Sequence, residues 1–173
     1  MTRSSVLCGL LLMVFFSAHV AAQILGGDPN FPLLNEIRWD MKTNEIENLC
    51  ESRKTPLRTS DSTLTFQAKI FETLTRAKIQ FDRASRLPRM VEVAFQEATA
   101  ATRDTLVNYF TRKTGKPPLV TTKEKSAIIF TIKIEVASWR GGDEMISVMT
   151  MMQGSEILGV NLLISKATAA PKT

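Results

Sequence analysis

From Thr63 onward the chain alternates apolar and polar residues with a period of two. Leu64, Phe66, Ala68 and Ile70 interleave with Thr65, Gln67 and Lys69, and successive side chains of a strand point to opposite faces. After a turn near Glu72–Leu74, Ala77, Ile79 and Phe81 take up the same rhythm. Past a polar, proline-ended stretch from Asp82 to Pro88, Val91, Val93 and Phe95 do so again. Three such runs predict an antiparallel meander with one face on a core.

The last third repeats the pattern. Ile128, Phe130, Ile132, Ile134 and Val136 form one expected inward face, with Thr131, Lys133 and Glu135 opposite. Gly141-Gly142-Asp143 makes a turn, Ile146 and Val148 continue inward, and Gln153-Gly154-Ser155 turns again. Leu158, Val160, Leu162 and Ile164 supply the inward side of a third strand.

Helical spacing appears twice. Ile46, Leu49 and Cys50 fall at i, i+3 and i+4, with Thr43 as the expected N-cap, Glu45 and Glu47 near the positive end of the dipole, and Pro56 as the outer limit. Between Glu97 and Thr114 there is no glycine or proline. Ala98, Ala101, Thr102, Leu106, Tyr109, Phe110 and Lys113 trace a stripe that is apolar except at its end. Gly115 then offers a left-handed cap, and Pro117-Pro118 prevent continuation.

The order is therefore helix, three strands, helix, three strands. It predicts an α+β two-layer sandwich, with both helices on one face of an antiparallel sheet. Each half reads as one helix across a meander, a repeat of element order without residue identity between the halves.

The ends of the chain set its address. Met1 to Ser5 carry one positive charge at Arg3, Val6 to Phe16 are almost wholly apolar, and small residues ending Val20-Ala21-Ala22 precede Gln23. These are the three parts of a secretory signal peptide, expected over residues 1–22, with a retained N-terminal anchor as the alternative. A membrane span needs about 20 apolar residues, more than this run provides. Cys8 sits near the start of the apolar run, the wrong place for a lipoprotein cysteine. Residues 23–36, with Gly26, Gly27, Asp28, Pro29 and Pro32, read as an irregular lead-in. Residues 37–166 form one domain, and 167–173 a loose tail. The expected location is periplasmic or secreted.

Cleavage changes the available chemistry. Basic residues fall from 22 to 21 against 17 acidic ones, so the formal net charge drops from +5 to +4. Cys8 and the only histidine, His19, leave with the signal. Without imidazole the mature chain lacks the usual base near neutrality and the commonest metal ligand. No cofactor and no metal are expected. Cys50, alone on an apolar helix face, reads as a buried thiol; exposed, it could link two copies into a homodimer.

Three remaining features are candidate sites. Arg83, Arg86 and Arg89 cluster at one strand connection. Such a tip binds phosphates, lipid headgroups or an acidic partner, or merely blocks edge pairing. Met145, Met149 and Met151 face away from Ile146 and Val148, which makes them a permissive binding surface, a second buried layer or a dimer seam. The adjacent carboxylates Asp143-Glu144 could do acid–base work, although a glycine turn is ordinarily solvated. Nucleic acid is not an expected partner, because the aromatics point to the core and the chain is exported.

The run Trp39-Asp40-Met41-Lys42-Thr43-Asn44-Glu45-Ile46, followed by a meander, resembles the opening of small exported bacterial domains. In element order the chain is similar to the outer-membrane assembly lipoprotein group and to β-lactamase-inhibitor-like proteins. It departs from them in lacking the lipoprotein cysteine and in placing Leu49-Cys50-Glu51-Ser52 where a Leu-Gly-x-Pro ending stands. The resemblance implies a non-catalytic protein acting through protein contacts, and it transfers no site residue. The resulting expectation is a non-enzymatic envelope binding protein, with a protein or envelope component as partner and membrane-surface contact as a further option. A small carboxylate-dependent hydrolase or enzyme inhibitor is the alternative.

Overall fold

The computed structural model describes residues 25–126, 130–141 and 143–166. The expected signal segment with Cys8 and His19, the tail from 167, and the positions Ile128 and Gly142 lie outside the described residues. The first half comprises helix α1 (Thr43–Ser52) and strands β1 (Leu57–Ser60), β2 (Thr63–Ile70), β3 (Thr73–Phe81) and β4 (Pro88–Phe95). The second comprises helix α2 (Ala100–Thr114) and strands β5 (Leu119–Ser126), β6 (Thr131–Gly141), β7 (Glu144–Gln153) and β8 (Glu156–Lys166).

All eight strands join one antiparallel sheet in the order β1-β2-β3-β4-β8-β7-β6-β5. The α+β class holds at that level. The expected three strands per half do not: each half is a helix followed by four strands. The strands missing from the sequence reading are the two edges. No residue of β1 is buried, and all of β5 is exposed. A strand that buries nothing has no inward row to mark it in the sequence. The halves meet where β4 pairs with β8, so the sheet reads outward from its centre as two matching four-strand blocks.

Register carries one buried row through the sheet. Leu64 lies opposite Ile79, Ile79 opposite Val91, and Val91 opposite Ile164. Ile164 faces Ile146, and Ile146 faces Trp139. Directly opposed residues share a sheet face, so these side chains form a single inner surface. Ile46 and Cys50 of α1, with Leu106 and Phe110 of α2, join the same buried cluster. Each such side chain contributes roughly 1.5–3 kcal/mol of burial.

β6 corrects the expected inward face. Ile132, Ile134 and Val136 lie opposite Gln153, Met151 and Met149, on the outer side of the sheet. Ala137 and Trp139 are buried on the inner side, and Lys133 and Glu135, expected outward, share that side half-buried. The Trp139 ring sits 5.8 Å from Phe110 of α2 and fills the inner space that the isoleucine run was expected to fill. Leu158 is a second correction. Met151 pairs with Gly159 and Met152 with Ile157, so Leu158 is an extra residue and is 45% exposed. A bulge of this kind leaves its extra residue out of the alternation.

The helix ends follow local chemistry. Thr99 Oγ1 accepts the Thr102 N–H at 3.1 Å, and Gly115 adopts φ +66° after α2. At α1 the expected Thr43 cap is displaced by one residue. Lys42 is the N-cap, and the Glu45 carboxylate accepts its backbone N–H at 2.6 Å. Thr43 thereby becomes the first helical residue and is buried. Phe71 and Glu72, both at positive φ, form the two-residue β2–β3 turn, the geometry that matches strand twist. Phe at such a position is strained. It is held by edge-to-face contacts with Phe31 at 5.3 Å and Tyr109 at 5.0 Å.

The lead-in is part of the core. Leu25, Phe31, Leu33 and Leu34 are buried, and the Asn30 carbonyl accepts the Phe71 N–H at 3.2 Å. Phe31 touches Phe71, Tyr109 and Phe110, joining the lead-in to both halves. Phe31→Ala is expected to cost about 3–5 kcal/mol of unfolding free energy, measured by urea denaturation. A loss below about 1 kcal/mol would contradict this role.

Candidate functional site

Two regions combine accessible surface with defined chemistry. The first is the outer side of the sheet. Its centre is apolar: Ile132, Ile134 and Val136 from β6, Met149 and Met151 from β7, and Leu163 from β8, all half-buried. Register places them side by side, Val136 opposite Met149 and Ile134 opposite Met151. Gly159 widens the floor. A Cβ there would lie 2.7 Å from Met151 Cε, so the missing side chain is what lets the thioether lie across the sheet. Met145, 42% exposed, continues the patch at one end. Polar groups inside it are paired: Ser138 and Ser147 share a hydrogen bond at 2.9 Å, and Asn161 Nδ2 donates to Glu92 Oε1 at 3.2 Å. No helix among the described residues contributes to this side.

Basic residues flank the patch on both sides. Arg76 and Lys78 of β3 project outward opposite Ala94 and Glu92. Lys123 and Lys125 of β5 project outward opposite Ile134 and Ile132. Glu124, between the two lysines, points to the other face. The acidic strand residues on the outer side are Glu92 and, at the β7–β8 turn, Glu156.

The second region is a cleft of about 500 Å³ between the lead-in, the end of α2 and the β6–β7 turn, bordered by Lys113, Lys116, Arg140, Asp143 and Glu144. Lys113 Nζ donates to Asp28 Oδ2 at 2.7 Å and to the Leu25 carbonyl at 2.9 Å. Tyr109 Oη donates to Asp28 Oδ2, while the backbone N–H and Nδ2 of Asn30 both donate to Oδ1 at 3.1 Å. Asp28 is buried, and its charge is matched by one cation and three further donors. Lys113 is one-third exposed, so breaking the pair costs less than the roughly 3–5 kcal/mol of a fully buried one. The group therefore clamps the lead-in onto α2.

Glu144 differs. It is half-buried with no ion pair among the described residues, and Trp39 Nε1–H donates to its Oε1 at 2.8 Å. Burial raises its pKa above the ordinary 4.5, against the lowering influence of Trp39, the Leu25 N–H and Lys113; Asp143 adds a smaller rise. The expected solvated turn holds for Asp143, which is exposed, but not for Glu144.

The arginine cluster is largely engaged in holding its own hairpin. Arg86, at φ +59°, donates to the Asp61 carbonyl at 2.8 Å, and Arg89 donates to Gln80 Oε1 at 3.1 Å. Asp82 accepts from Ser85 and Ala84, bonds that hold its carboxyl below the usual range. Arg83 remains exposed beside a hollow of about 380 Å³. Met145, Met149 and Met151 do come together on the outer sheet face. Cys50 is fully buried and its thiol is pushed up to about 11, chiefly by burial. Among the described residues, no three His, Cys, Asp or Glu side chains gather as a metal site, and no helix is long and apolar enough to cross a membrane.

Sequence reasoning missed the Asp28–Lys113–Tyr109 clamp and the Trp39–Glu144 contact. One signal was present: Lys113 closes an otherwise apolar stripe, and a lysine on a buried face needs a buried acid. Nothing in the local sequence placed that acid in the lead-in. Comparison of the chain with family models, curated proteins and solved structures found no match.

Because its folded-state pKa is raised, Glu144 binds a proton more tightly in the folded chain than in the unfolded one. The stabilisation this gives is complete below pH 4.5 and is lost as pH rises through the raised value. Glu144→Gln keeps an acceptor for Trp39 and removes the titration. Thermal melts should show wild type and variant matched at acidic pH, with the variant gaining relative stability toward pH 7. A constant difference across the range would contradict the assignment.

Proposed function

We propose that this chain is an exported, non-catalytic binding protein of the cell envelope. In this reading it is a two-layer sandwich with both helices on one side, and it engages a partner through the helix-free face of its sheet. The observation that carries the reading is the continuous apolar floor formed by Ile132, Ile134, Val136, Met149 and Met151 on a side that no described helix covers. Apolar patches rimmed by polar residues mark interaction sites on soluble proteins, and methionine adapts its shape to a partner. The signal-like N-terminus and the loss of His19 with it support export and a non-catalytic role. The arginine hairpin is a weaker candidate, since Arg86 and Arg89 are committed to local bonds.

One observation favours a second reading, a small carboxylate-dependent hydrolase. Glu144 is a half-buried acid with a raised pKa beside Asp143 in an open cleft, and perturbed acids in clefts are candidate acid–base groups.

A photoreactive residue placed at Met145 or Met149 in the producing cells, against a control at the exposed Asn48 of α1, separates these readings. The binding reading expects partner adducts from the two sheet positions and none from Asn48. Equal adducts from all three positions, or a hydrolytic turnover abolished by Glu144→Gln, would overturn it.

A further inference from the structure

We infer that the helix-free face receives an acidic amphipathic helix of a protein partner; this rests on the proposal that this face is the binding surface. The geometry supplies both components of recognition. Across the sheet the order is β3-β4-β8-β7-β6-β5, so the outward basic residues of β3 and β5 stand five strand spacings apart, about 24 Å. The apolar floor of β6, β7 and β8 lies between them, centred on β7. The β5 row is then roughly 10 Å from that line and the β3 row roughly 14 Å. A helix lying there has a radius of about 5–6 Å with its side chains, and the long Lys and Arg side chains bridge the remaining gap. From Ile132 to Arg140 the face runs about 27 Å along β6, which matches some 18 helical residues.

Charge selects the occupant. Arg76, Lys123 and Lys125 are exposed, whereas the floor residues beside them are half-buried. The cations thus reach further into solvent than the floor, with Leu119 of β5 and Leu74 of β3 as exposed apolar neighbours on the same strands. A flat bilayer surface would meet those cations before reaching the floor, while the side chains of an apolar helix stripe can descend into it. A second copy of this chain would bring the same lysines and arginine against their counterparts, an unfavourable like-charge encounter. A helix with an apolar stripe and glutamates along both flanks satisfies floor and rims together.

The test uses the whole chain and two synthetic 18-residue amphipathic peptides with the same leucine stripe, one flanked by Glu and one by Lys. Isothermal titration should give saturable binding of the Glu peptide only, weakened as salt screens the rims. Charge reversal of the exposed edge, K123E with K125E, should weaken binding about tenfold or more, and should leave circular dichroism and the melting temperature unchanged. Val136→Glu should abolish binding; if that variant fails to fold, the edge variant still decides. Equal binding of both peptides, or no saturable binding of the Glu peptide, overturns the proposal. So does co-sedimentation with vesicles of neutral and anionic phospholipid in place of peptide binding, or concentration-dependent dimerisation through this face. If those failures occur while cross-links at Met145 and Met149 persist, only the identity of the occupant is wrong. If the cross-links fail as well, the face itself is the wrong surface.

Discussion

The placement of Trp139 determines which way β6 faces, and the rest of the molecule follows from that choice. A strand has only two faces, and a shift of one residue exchanges them. With Trp139 inward, opposite Ile146 and near Phe110 of α2, the run Ile132, Ile134 and Val136 must lie outward. The indole ring offers far more area to the core than any of those side chains. Its Nε1–H has no hydrogen-bond partner among the described residues. An unpaired buried donor costs about 1–3 kcal/mol, comparable to the burial gain of a single large side chain, and the gain from a residue of this size offsets it. The outer apolar floor is thus a consequence of filling the inner core.

The inner side is assembled from parts distant in sequence. The lead-in crosses both halves through Phe31, and the Asp28–Lys113 clamp fixes it to α2. Two helices and the lead-in contribute to one buried cluster that spans the inner face. The opposite face, which no described helix covers, carries the apolar floor with the basic residues of β3 and β5 on either side. Of those two strands only β5 is a sheet edge, where Lys123 and Lys125 oppose pairing with another strand.

Much of this was legible in the sequence because burial leaves a periodic signature. The inward rows of β2, β3 and β4, Leu106 and Phe110 of α2 with its Gly115 cap, and the outward methionines of β7 stand where the periodicity placed them, whereas Ala98 precedes α2 and Ala101 is exposed. The failures have physical causes. β1 half-buries only Leu57 and β5 is wholly exposed, so neither carries a periodic signature. β6 has apolar residues at alternating positions on one side and Ala137 and Trp139 on the other, and alternation alone cannot say which side meets the core. Leu158 is displaced by a bulge visible only through its pairing with β7. Of the candidate site, the methionines were readable, but their union with the β6 isoleucines was not, because the expected β6 orientation put them on opposite faces. The Glu144 contact joins residues 105 positions apart, beyond the reach of any local pattern.

The orientation of β6 is therefore the claim on which the outer surface depends, and adjacent positions on that strand test it. In a Cys50→Ser background, Val136→Cys and Ala137→Cys would each be treated with a maleimide reagent under native conditions, and the labelling rates compared with those in denaturant. Rapid native labelling of the first and protection of the second is the expected result. Protection at 136 with ready labelling at 137 would mean that β6 is turned the other way, and that the apolar floor belongs to the core.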